Sequence, residues 1–274
     1  MLSFDKNIGR LGNRMTLKMK LAAGLFCALA CMPMVVGAAP KTDTMHRWEV
    51  TSKDTGGTLL FSDSPEYVDK PGILYQDTVN GEVRVLYYHL NNTKVPQKVA
   101  VVLENVNSED SYNIVQVTRG GTAKPSEYYL WVGKNTQRQY FGEEKQDLIL
   151  LLRNRKRLLQ SGMDEIVLQP GQLVYGVYDF KVDRPVKASV IMYPAKANPV
   201  EFLESAKVLS RDSVALRDTY KGMDRVIASE REYDPERDGI VYIMLADNEI
   251  DKYKVGVDAT DGSQTVNYGN YGVI

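Results

Sequence analysis

The sequence predicts an all-β protein in which an antiparallel β-sandwich domain is followed by a second, incomplete β domain. Short runs rich in Val, Tyr, Leu and Ile recur through the chain, and clusters of Gly, Pro, Asn and Asp separate them. The runs follow one another at roughly 8–12 residues, a spacing that is typical of sandwiches. With 274 residues, 43% of them hydrophobic, the chain is long enough to bury a core.

The predicted strands combine apolar alternation with flanks of turn-forming residues. They lie at 57–63, 82–90, 97–106, 112–120, 126–133, 146–153, 172–180 and 185–193. Val83, Val85 and Tyr87 share one face, because successive side chains of a strand point to opposite sides. Asn80-Gly81 favours a turn before them. One short helix is predicted near 199–209, from a narrow apolar stripe.

A faint internal repeat predicts where the two domains meet. Asp77–Gly81 and Asp258–Gly262 share the pattern D-x-x-(N/D)-G at an offset of 181 residues (258 − 77). Coincidence between ordinary turn sequences is the alternative. The repeat predicts a sandwich over 45–208 and the start of a second domain over 209–274. Because the chain ends on the strand-like Tyr271-Gly-Val-Ile, we expect that second domain to be truncated.

The N-terminal segment predicts export. Residues 1–20 carry five basic side chains against one acidic side chain, and residues 21–39 carry no charge. With small residues at Val36 and Ala38, this pattern predicts a signal peptide over 1–38, cleaved after Ala38. A linker over 39–44 would follow.

Three alternatives stay open at this end of the chain. The apolar run is long enough for a membrane anchor, although Gly24 and Pro33 disfavour one. Cys31 is a minority candidate for lipidation, although Ala28 stands where lipoprotein signals usually carry Leu. The candidate translation starts are Met1, Met15 and Met19.

Cleavage would change both the charge and the chemistry of the chain. It removes five of 34 basic and one of 35 acidic residues, which leaves 29 against 34 and a net charge near −5. Cys27 and Cys31 leave with the signal, which excludes disulfides and catalytic thiols from the mature part. A mildly acidic chain gives no support for nucleic-acid binding.

Six stretches carry a family resemblance. They are 71–93, 98–105, 172–194, 198–209, 257–262 and 267–273. They resemble secreted bacterial proteins known as copper amine oxidase N-terminal domain-containing proteins, over most of 45–274. The resemblance implies that similar chains continue into a longer β-rich part. It also implies that the small domain that names the family is missing here, and it implies no defined activity.

Tyr268 tests whether that family name describes an activity. Asn267-Tyr268-Gly269-Asn270-Tyr271 is similar to the site where copper amine oxidases oxidise a tyrosine, but Gly269 replaces its acidic residue. The oxidation needs copper on imidazole ligands. The chain has two histidines, His46 and His89, where three are needed. We therefore expect no copper and no amine oxidase activity, and we expect Tyr268 and Tyr271 to be half-buried strand aromatics.

No other coherent catalytic set is visible. The chain lacks Gly-x-Ser-x-Gly and His-Glu-x-x-His. His89 is expected to be a packed or hydrogen-bonded side chain, and Glu143-Glu144 a solvated surface pair. Carboxylate pairs of a glycosidase form only on folding, so the sequence leaves them open.

Four aspartates are weak candidates for a cation site: Asp234, Asp238, Asp258 and Asp261. The first two belong to a stretch similar to a calcium loop, in which Leu245 stands where the twelfth residue should be Glu. A turn between strands is the favoured interpretation. No other cofactor is expected.

The basic run between two apolar segments is the strongest charge feature. It contains Arg153, Arg155, Lys156 and Arg157. It would suit an anionic partner such as a cell-wall polymer, a lipid headgroup or another polyanion. The favoured alternative is a solvated hairpin turn whose charges discourage pairing at a sheet edge.

These features favour an exported, non-catalytic protein of the cell envelope or the secretome, with a binding or structural role. The alternatives are a glycan-active secreted enzyme and a fragment without a function of its own. The expected partners are cell-wall or surface polymers. Nucleic acid is not expected, and membrane contact is expected only through the signal segment.

Overall fold

The structure is a computed structural model that describes residues 44–107, 112–142, 144–213 and 216–268. Strands make up most of its regular structure, with three short helices in these ranges, so the predicted all-β class is confirmed. The predicted signal peptide lies outside the described residues, as does all of the predicted linker except Thr44. None of the described helices is both long and apolar enough to cross a lipid bilayer.

The regular elements have the following bounds. The strands are β1 (His46–Arg47), β2 (Thr51–Thr55), β3 (Thr58–Ser62), β4 (Tyr67–Val68), β5 (Gly72–Asn91), β6 (Gln97–Asn105), β7 (Asn113–Thr122), β8 (Asp147–Leu151), β9 (Lys156–Leu158), β10 (Leu173–Pro194), β11 (Arg217–Lys221), β12 (Asp224–Ala228), β13 (Val241–Tyr242), β14 (Lys254–Val257) and β15 (Gln264–Asn267). The helices are α1 (Tyr129–Tyr140), α2 (Pro199–Ser205) and α3 (Pro235–Asp238), and a 3₁₀ helix covers Ser161–Glu165.

Two long antiparallel strands, β5 and β10, form the centre of the largest sheet. They pair along almost their whole lengths. A register shift between Val182 and Val186 marks a bulge, so the predicted strands 172–180 and 185–193 are one irregular strand. The turn predicted at Asn80-Gly81 is wrong, because β5 continues through it, with Gly81 at a left-handed φ of 72°.

The two halves of β10 have different neighbours. β7 pairs with its first half and β6 with its second. β8 adds to β7 and β9 adds to β6. On the far side of β5 lie β3 and β4, both parallel to it. The sheet is therefore mixed, where the sequence predicted antiparallel pairing throughout.

The strands after residue 209 join the same sheet or pair with the first strands. β11 lies antiparallel beside β3, and β14 and β15 extend the sheet beyond β11. β12 pairs with β2, and β13 with β1. The sheet thus runs across the position 208/209 at which the repeat predicts a domain boundary. The division into two domains stays a prediction.

Opposite faces of the sheet contribute to two hydrophobic clusters. The larger cluster contains Val83, Val85 and Tyr87, as their alternation predicts. Leu86 faces the smaller cluster, to which α1 contributes Val132. Helix α1 therefore covers one face, while the other face builds the main core.

Helix α1 shows that the strand predicted over 126–133 is wrong. The aromatic and branched residues of 128–132 favour a strand locally. The buried residues of the helix are instead Val132, Thr136 and Tyr140, which lie four residues apart and share one helical face. Tertiary contact along that face decides the conformation.

Polar contacts fix α1 against β10. Thr136 Oγ1 donates to the Tyr175 carbonyl at 3.0 Å, and the Tyr140 hydroxyl donates to Asp179 Oδ2 at 2.7 Å. Asp179 also accepts two hydrogen bonds from Arg84, at 2.7 and 2.8 Å. These contacts set the position of α1 relative to both long strands.

The helix predicted near 199–209 is confirmed as α2, which is shorter. Asn198 Oδ1 accepts hydrogen bonds from the backbone N–H groups of Val200 and Glu201, at 2.9 and 3.2 Å, and so caps its N-terminus. The chain then leaves the helix, and the N–H of Leu209 donates to the Ile73 carbonyl at 2.8 Å. Helix α3 was not predicted.

A buried ion pair connects the later strands to the main core. Arg217 Nε donates to Asp258 Oδ2 at 2.8 Å, and the two side chains are 4% and 0% exposed. Arg217 Nη1 also donates to the carbonyls of Leu74 and Leu209. The guanidinium therefore joins β11, β5 and the segment after α2.

Replacing Arg217 with Met is expected to lower the free energy of unfolding by about 3–5 kcal/mol, because Asp258 would keep a buried charge without its partner. Urea titration of the full chain measures the loss. Replacing both residues, as Arg217→Met with Asp258→Leu, should recover part of it. As a control, Lys181→Ala breaks the exposed Lys181–Glu82 pair and should cost less than about 1 kcal/mol. Equal losses in the two single variants would contradict the account.

Gly176 is a second position at which a substitution should change stability, because a Cβ there would overlap the ring of Tyr87 on the neighbouring strand. Gly176→Ala should lower the free energy of unfolding by about 1–3 kcal/mol. Gly133 in α1 has open space around its Cβ position, so Gly133→Ala should instead raise stability, by up to about 1 kcal/mol. The same urea titration measures both, and a stable Gly176→Ala variant would show that the Tyr87 ring gives way.

Candidate functional site

A cavity lies between β8 and β9. These two strands are the outer neighbours of β7 and β6, which both pair with β10. The volume of the cavity is about 820 Å³. Exposed leucines of β8, Leu148 and Leu150, line it together with polar side chains that include Gln139 and Gln160. Within the described ranges each of the two strands pairs on one side only, so each leaves a backbone edge open.

Three cations line this cavity: Lys145, Lys156 and Arg157. Lys156 is held by Glu204 and Glu104, at 2.8 and 3.3 Å, and the Glu204 carboxylate raises the pKa of its ammonium. Lys145 Nζ lies 5.8 Å from the centre of the Tyr178 ring. Neither Lys145 nor Arg157 forms an ion pair with another described residue. Among the described residues these two cations therefore face the cavity without a carboxylate partner, and Asp147 is the acidic residue in its lining.

The predicted basic patch is divided by the structure. Lys156 and Arg157 line the cavity, whereas Arg153 and Arg155 lie in the exposed turn that joins β8 to β9. Sequence reasoning missed Lys145, because its neighbours Glu143 and Glu144 are acidic and no other basic residue stands beside it. Its position could have revealed it, because Lys145 comes just before the apolar strand β8 and the basic run comes just after the same strand.

The first two aspartates of the predicted cation site have protein partners. Asp238 accepts hydrogen bonds from Arg231 and Arg237, at 2.8 and 2.7 Å, and the Arg237 guanidinium lowers the pKa of Asp238 to about 2. Asp234 Oδ1 caps α3 by accepting from the N–H of Glu236 at 3.0 Å. A cation would have to displace these donors.

The other two aspartates lie in the turn between β14 and β15. Asp258 is the partner of Arg217, and Asp261 Oδ1 accepts from the N–H of Ser263 at 2.9 Å. Across the described residues, no group of three or more His, Cys, Asp or Glu side chains is arranged to hold a metal ion. The geometry gives the calcium hypothesis no support.

His89 organises the loop after β3. Its Nδ1 lies 2.8 Å from the Pro65 carbonyl and its Nε2 lies 2.9 Å from Ser62 Oγ. Because the carbonyl only accepts, Nδ1 carries the proton and the Ser62 hydroxyl donates to Nε2. Burial lowers the pKa of His89 to about 4. The prediction of a packed, hydrogen-bonded histidine is confirmed, whereas His46 lies exposed on β1.

Carboxylates and phenols meet where this loop approaches α1. We call the set Asp63, Glu66, Tyr67, Tyr88 and Tyr129 the acid–tyrosine surface. Burial raises the pKa of Tyr88 to about 12, and the Glu66 and Asp63 carboxylates and the Tyr129 and Tyr67 phenols add to this increase. Burial, and then the Tyr67 phenol and the Glu127 and Glu66 carboxylates, raise the pKa of Tyr129. Tyr88 is therefore within electrostatic reach of the other four side chains, and Tyr67 pairs with Leu90, two residues along β5 from Tyr88.

Asp63 is the most unusual group of this surface. The residue is 8% exposed, and its Oδ1 is buried without a hydrogen-bond donor in the part of the chain that the structure describes. Burial first, and then the charges of Glu66 and Asp212, raise its pKa to about 7. The N–H of Glu66 donates to Asp212 Oδ2 at 2.9 Å, which keeps these two acidic residues together. Sequence reasoning missed this cluster, because Asp212 lies far along the chain from the other two.

The remaining sequence candidates do not form a site. Tyr268 is exposed just after β15, contrary to the half-buried position expected for it, and packs edge-on against Tyr253 with 5.3 Å between ring centres. Tyr271 and Glu143 lie outside the described residues. Glu144 is exposed and accepts a long hydrogen bond, 3.4 Å, from Arg119.

Comparison with known proteins adds no relative to this geometry. No protein-family model, no curated protein and no solved structure matches the chain. The resemblance to copper amine oxidase N-terminal domain-containing proteins therefore stays a prediction, and the functional argument depends on the two surfaces described above.

Asp63 gives a pH prediction whose sign follows from its raised pKa. Below about pH 4 the Asp63 carboxyl is protonated in both the folded and the unfolded protein. As the pH rises to about 7, the unfolded protein releases this proton first, because the pKa is raised only in the folded protein. The folded protein therefore loses stability over this range. Asp63→Asn removes that loss. The free energy of unfolding of the variant, minus that of the wild type, should therefore increase by up to about 4 kcal/mol between pH 4 and pH 8. Urea titration at several pH values measures the difference.

The effect of His89 on the pH dependence of stability has the opposite sign, but it cancels when the Asp63→Asn variant is compared with the wild type. With its pKa lowered, neutral His89 contributes stability that is lost as the pH falls from about 6.5 to about 4. Both proteins keep His89. The exposed carboxylate of Glu232 serves as the control, since Glu232→Gln should leave the pH profile parallel to that of the wild type. A parallel profile for Asp63→Asn as well would show that Asp63 ionises normally.

Proposed function

We propose that this chain is an exported, non-catalytic binding protein that holds an anionic surface polymer in the cavity between β8 and β9. The observation that carries the proposal is the pair Lys145 and Arg157, two cations that line one concave site without carboxylate partners among the described residues. Carboxylate or phosphate groups of a polymer would complete their hydrogen bonding.

The cavity also suits the backbone of such a polymer. Leu148 and Leu150 offer apolar contact, and Gln139 and Gln160 offer neutral hydrogen-bonding groups beside the cations. Lys156 is already paired with two glutamates, so its role is to fix β9 against β6 and α2. The specificity of the site therefore depends on Lys145 and Arg157.

The export and the non-catalytic role are supported by the sequence. The basic and apolar N-terminal segment favours secretion. The sequence lacks Gly-x-Ser-x-Gly and His-Glu-x-x-His, and it has two histidines where a copper site needs three, which favours binding without turnover. A bacterial cell-wall fraction is therefore the first partner to test.

The test measures binding of the full chain to purified bacterial cell walls and to polygalacturonate, a soluble carboxylated polymer. Lys145→Ala combined with Arg157→Ala should weaken binding about tenfold, because two charge-assisted contacts are lost. Binding of the wild type should also fall as salt is raised from 50 to about 500 mM, because salt screens exposed charges.

The matched control removes two cations elsewhere on the surface, as Lys94→Ala with Lys196→Ala, and should change affinity less than about twofold. Neutral dextran should not bind in the cavity. Equal losses in the two double variants would show that net charge, rather than the cavity, attracts the polymer. No binding to either anionic probe would overturn the proposal.

A further inference from the structure

The acid–tyrosine surface is separate from the cationic cavity and is built on different elements. Asp63 and Glu66 come from the segment between β3 and β4, Tyr67 from the start of β4, Tyr88 from β5 and Tyr129 from the first turn of α1. Tyr67 is 52% exposed, and Tyr129 is also exposed. Beneath them, the ring of Tyr88 lies 6.1 Å from that of Tyr175. Tyrosines from three elements thus surround one acidic segment.

The scaffold beneath this surface is rigid. His89 on β5 donates through Nδ1 to the Pro65 carbonyl, and Ser62 on β3 donates in turn to His89 Nε2. The Thr136 and Tyr140 contacts to β10 hold α1 in place. The exposed rings are therefore presented by fixed backbone, as a preorganised binding surface requires.

The buried carboxylate of Asp63 is an independent observation that points to a ligand at this surface. Its side chain follows the alternation of Leu59 and Phe61, so it lies on the same side of the sheet as α1 and Tyr88. Its Oδ1 has no donor among the described residues, although buried polar atoms in folded proteins almost always have one. Because Oδ1 is covered in this structure, a ligand hydroxyl would supply that donor once the side chains around Tyr88 move aside.

We propose that the acid–tyrosine surface binds a saccharide. Tyr67 and Tyr129 would contact the apolar faces of sugar rings, which aromatic side chains cover well while their hydroxyls stay solvated. Glu66 and Asp63 would accept hydrogen bonds from sugar hydroxyls. This site does not depend on the proposed function of the cavity.

The charge of the surface favours a saccharide over two other ligands. Asp63, Glu66 and Asp212 bring acidic groups together, which disfavours contact with an anionic lipid surface. A basic peptide would satisfy the charges and could place a cation over a ring, but the flat apolar face of a sugar covers more of the exposed ring area of Tyr67 and Tyr129. Polyhydroxylated rings match both the carboxylates and the aromatic faces.

The test titrates the full chain with chitohexaose, cellohexaose and muramidase-released peptidoglycan fragments by isothermal titration calorimetry. We expect at least one of them to bind. Tyr67→Ala and Glu66→Gln should each weaken that binding about tenfold. Tyr112, the residue before β7, is exposed to a similar degree, 55%, so Tyr112→Ala is the matched control and should change affinity less than about twofold. Glu165→Gln is the corresponding control for Glu66→Gln.

The remaining outcomes either overturn or support the proposal of a saccharide site. No heat with any of the three probes, or an equal loss in Tyr112→Ala, overturns it. Binding to phosphatidylglycerol vesicles or to polylysine without saccharide binding overturns it in favour of those ligands. Release of shorter oligosaccharides would support the site while overturning the non-catalytic role. The cavity variant Lys145→Ala with Arg157→Ala should bind these saccharides normally, which separates failure here from failure of the proposed function.

Discussion

The pairing of β5 with β10 is the constraint on which the rest of the structure depends. Every other strand of the large sheet is attached, directly or through one chain of neighbours, to one of these two. β5 carries β3 and β4, and so positions the acid–tyrosine surface. β10 carries β6 and β7, whose outer neighbours β9 and β8 enclose the cationic cavity. The two candidate surfaces are therefore products of one antiparallel pair, placed on its opposite sides.

The sequence predicted those parts of the fold in which local pattern and tertiary environment agree. The alternation of Val83, Val85 and Tyr87 matches a sheet with two buried faces, so periodicity alone was sufficient. The prediction for 128–132 was wrong because these residues favour a strand locally. The buried face of α1 extends to Tyr140, and it can be recognised only once Thr136 contacts β10. Parallel pairing of β3 with β5 has no local signal at all.

The candidate sites were predictable only as far as they are contiguous in sequence. The basic run predicted two cavity cations, because Lys156 and Arg157 are neighbours along the chain. Lys145 joins them only because β8 and β9 come close together. Asp63 and Asp212 approach each other only because β11, which follows Asp212, pairs with β3. Burial, which sets the pKa of Asp63, cannot be read from a sequence in advance of the fold.

The pairing of β11 with β3 also has a consequence for how the chain acquires its structure. It joins residues such as Leu60 and Thr219, which lie far apart along the chain, and β2 with β12 is another such pair. Contacts of this range close large loops before they return any free energy, and they slow folding. During synthesis the edge of β3 must wait until β11 has emerged from the ribosome. Refolding of this chain should therefore be slow, and a partly synthesised chain would present an open strand edge for chaperones to cover.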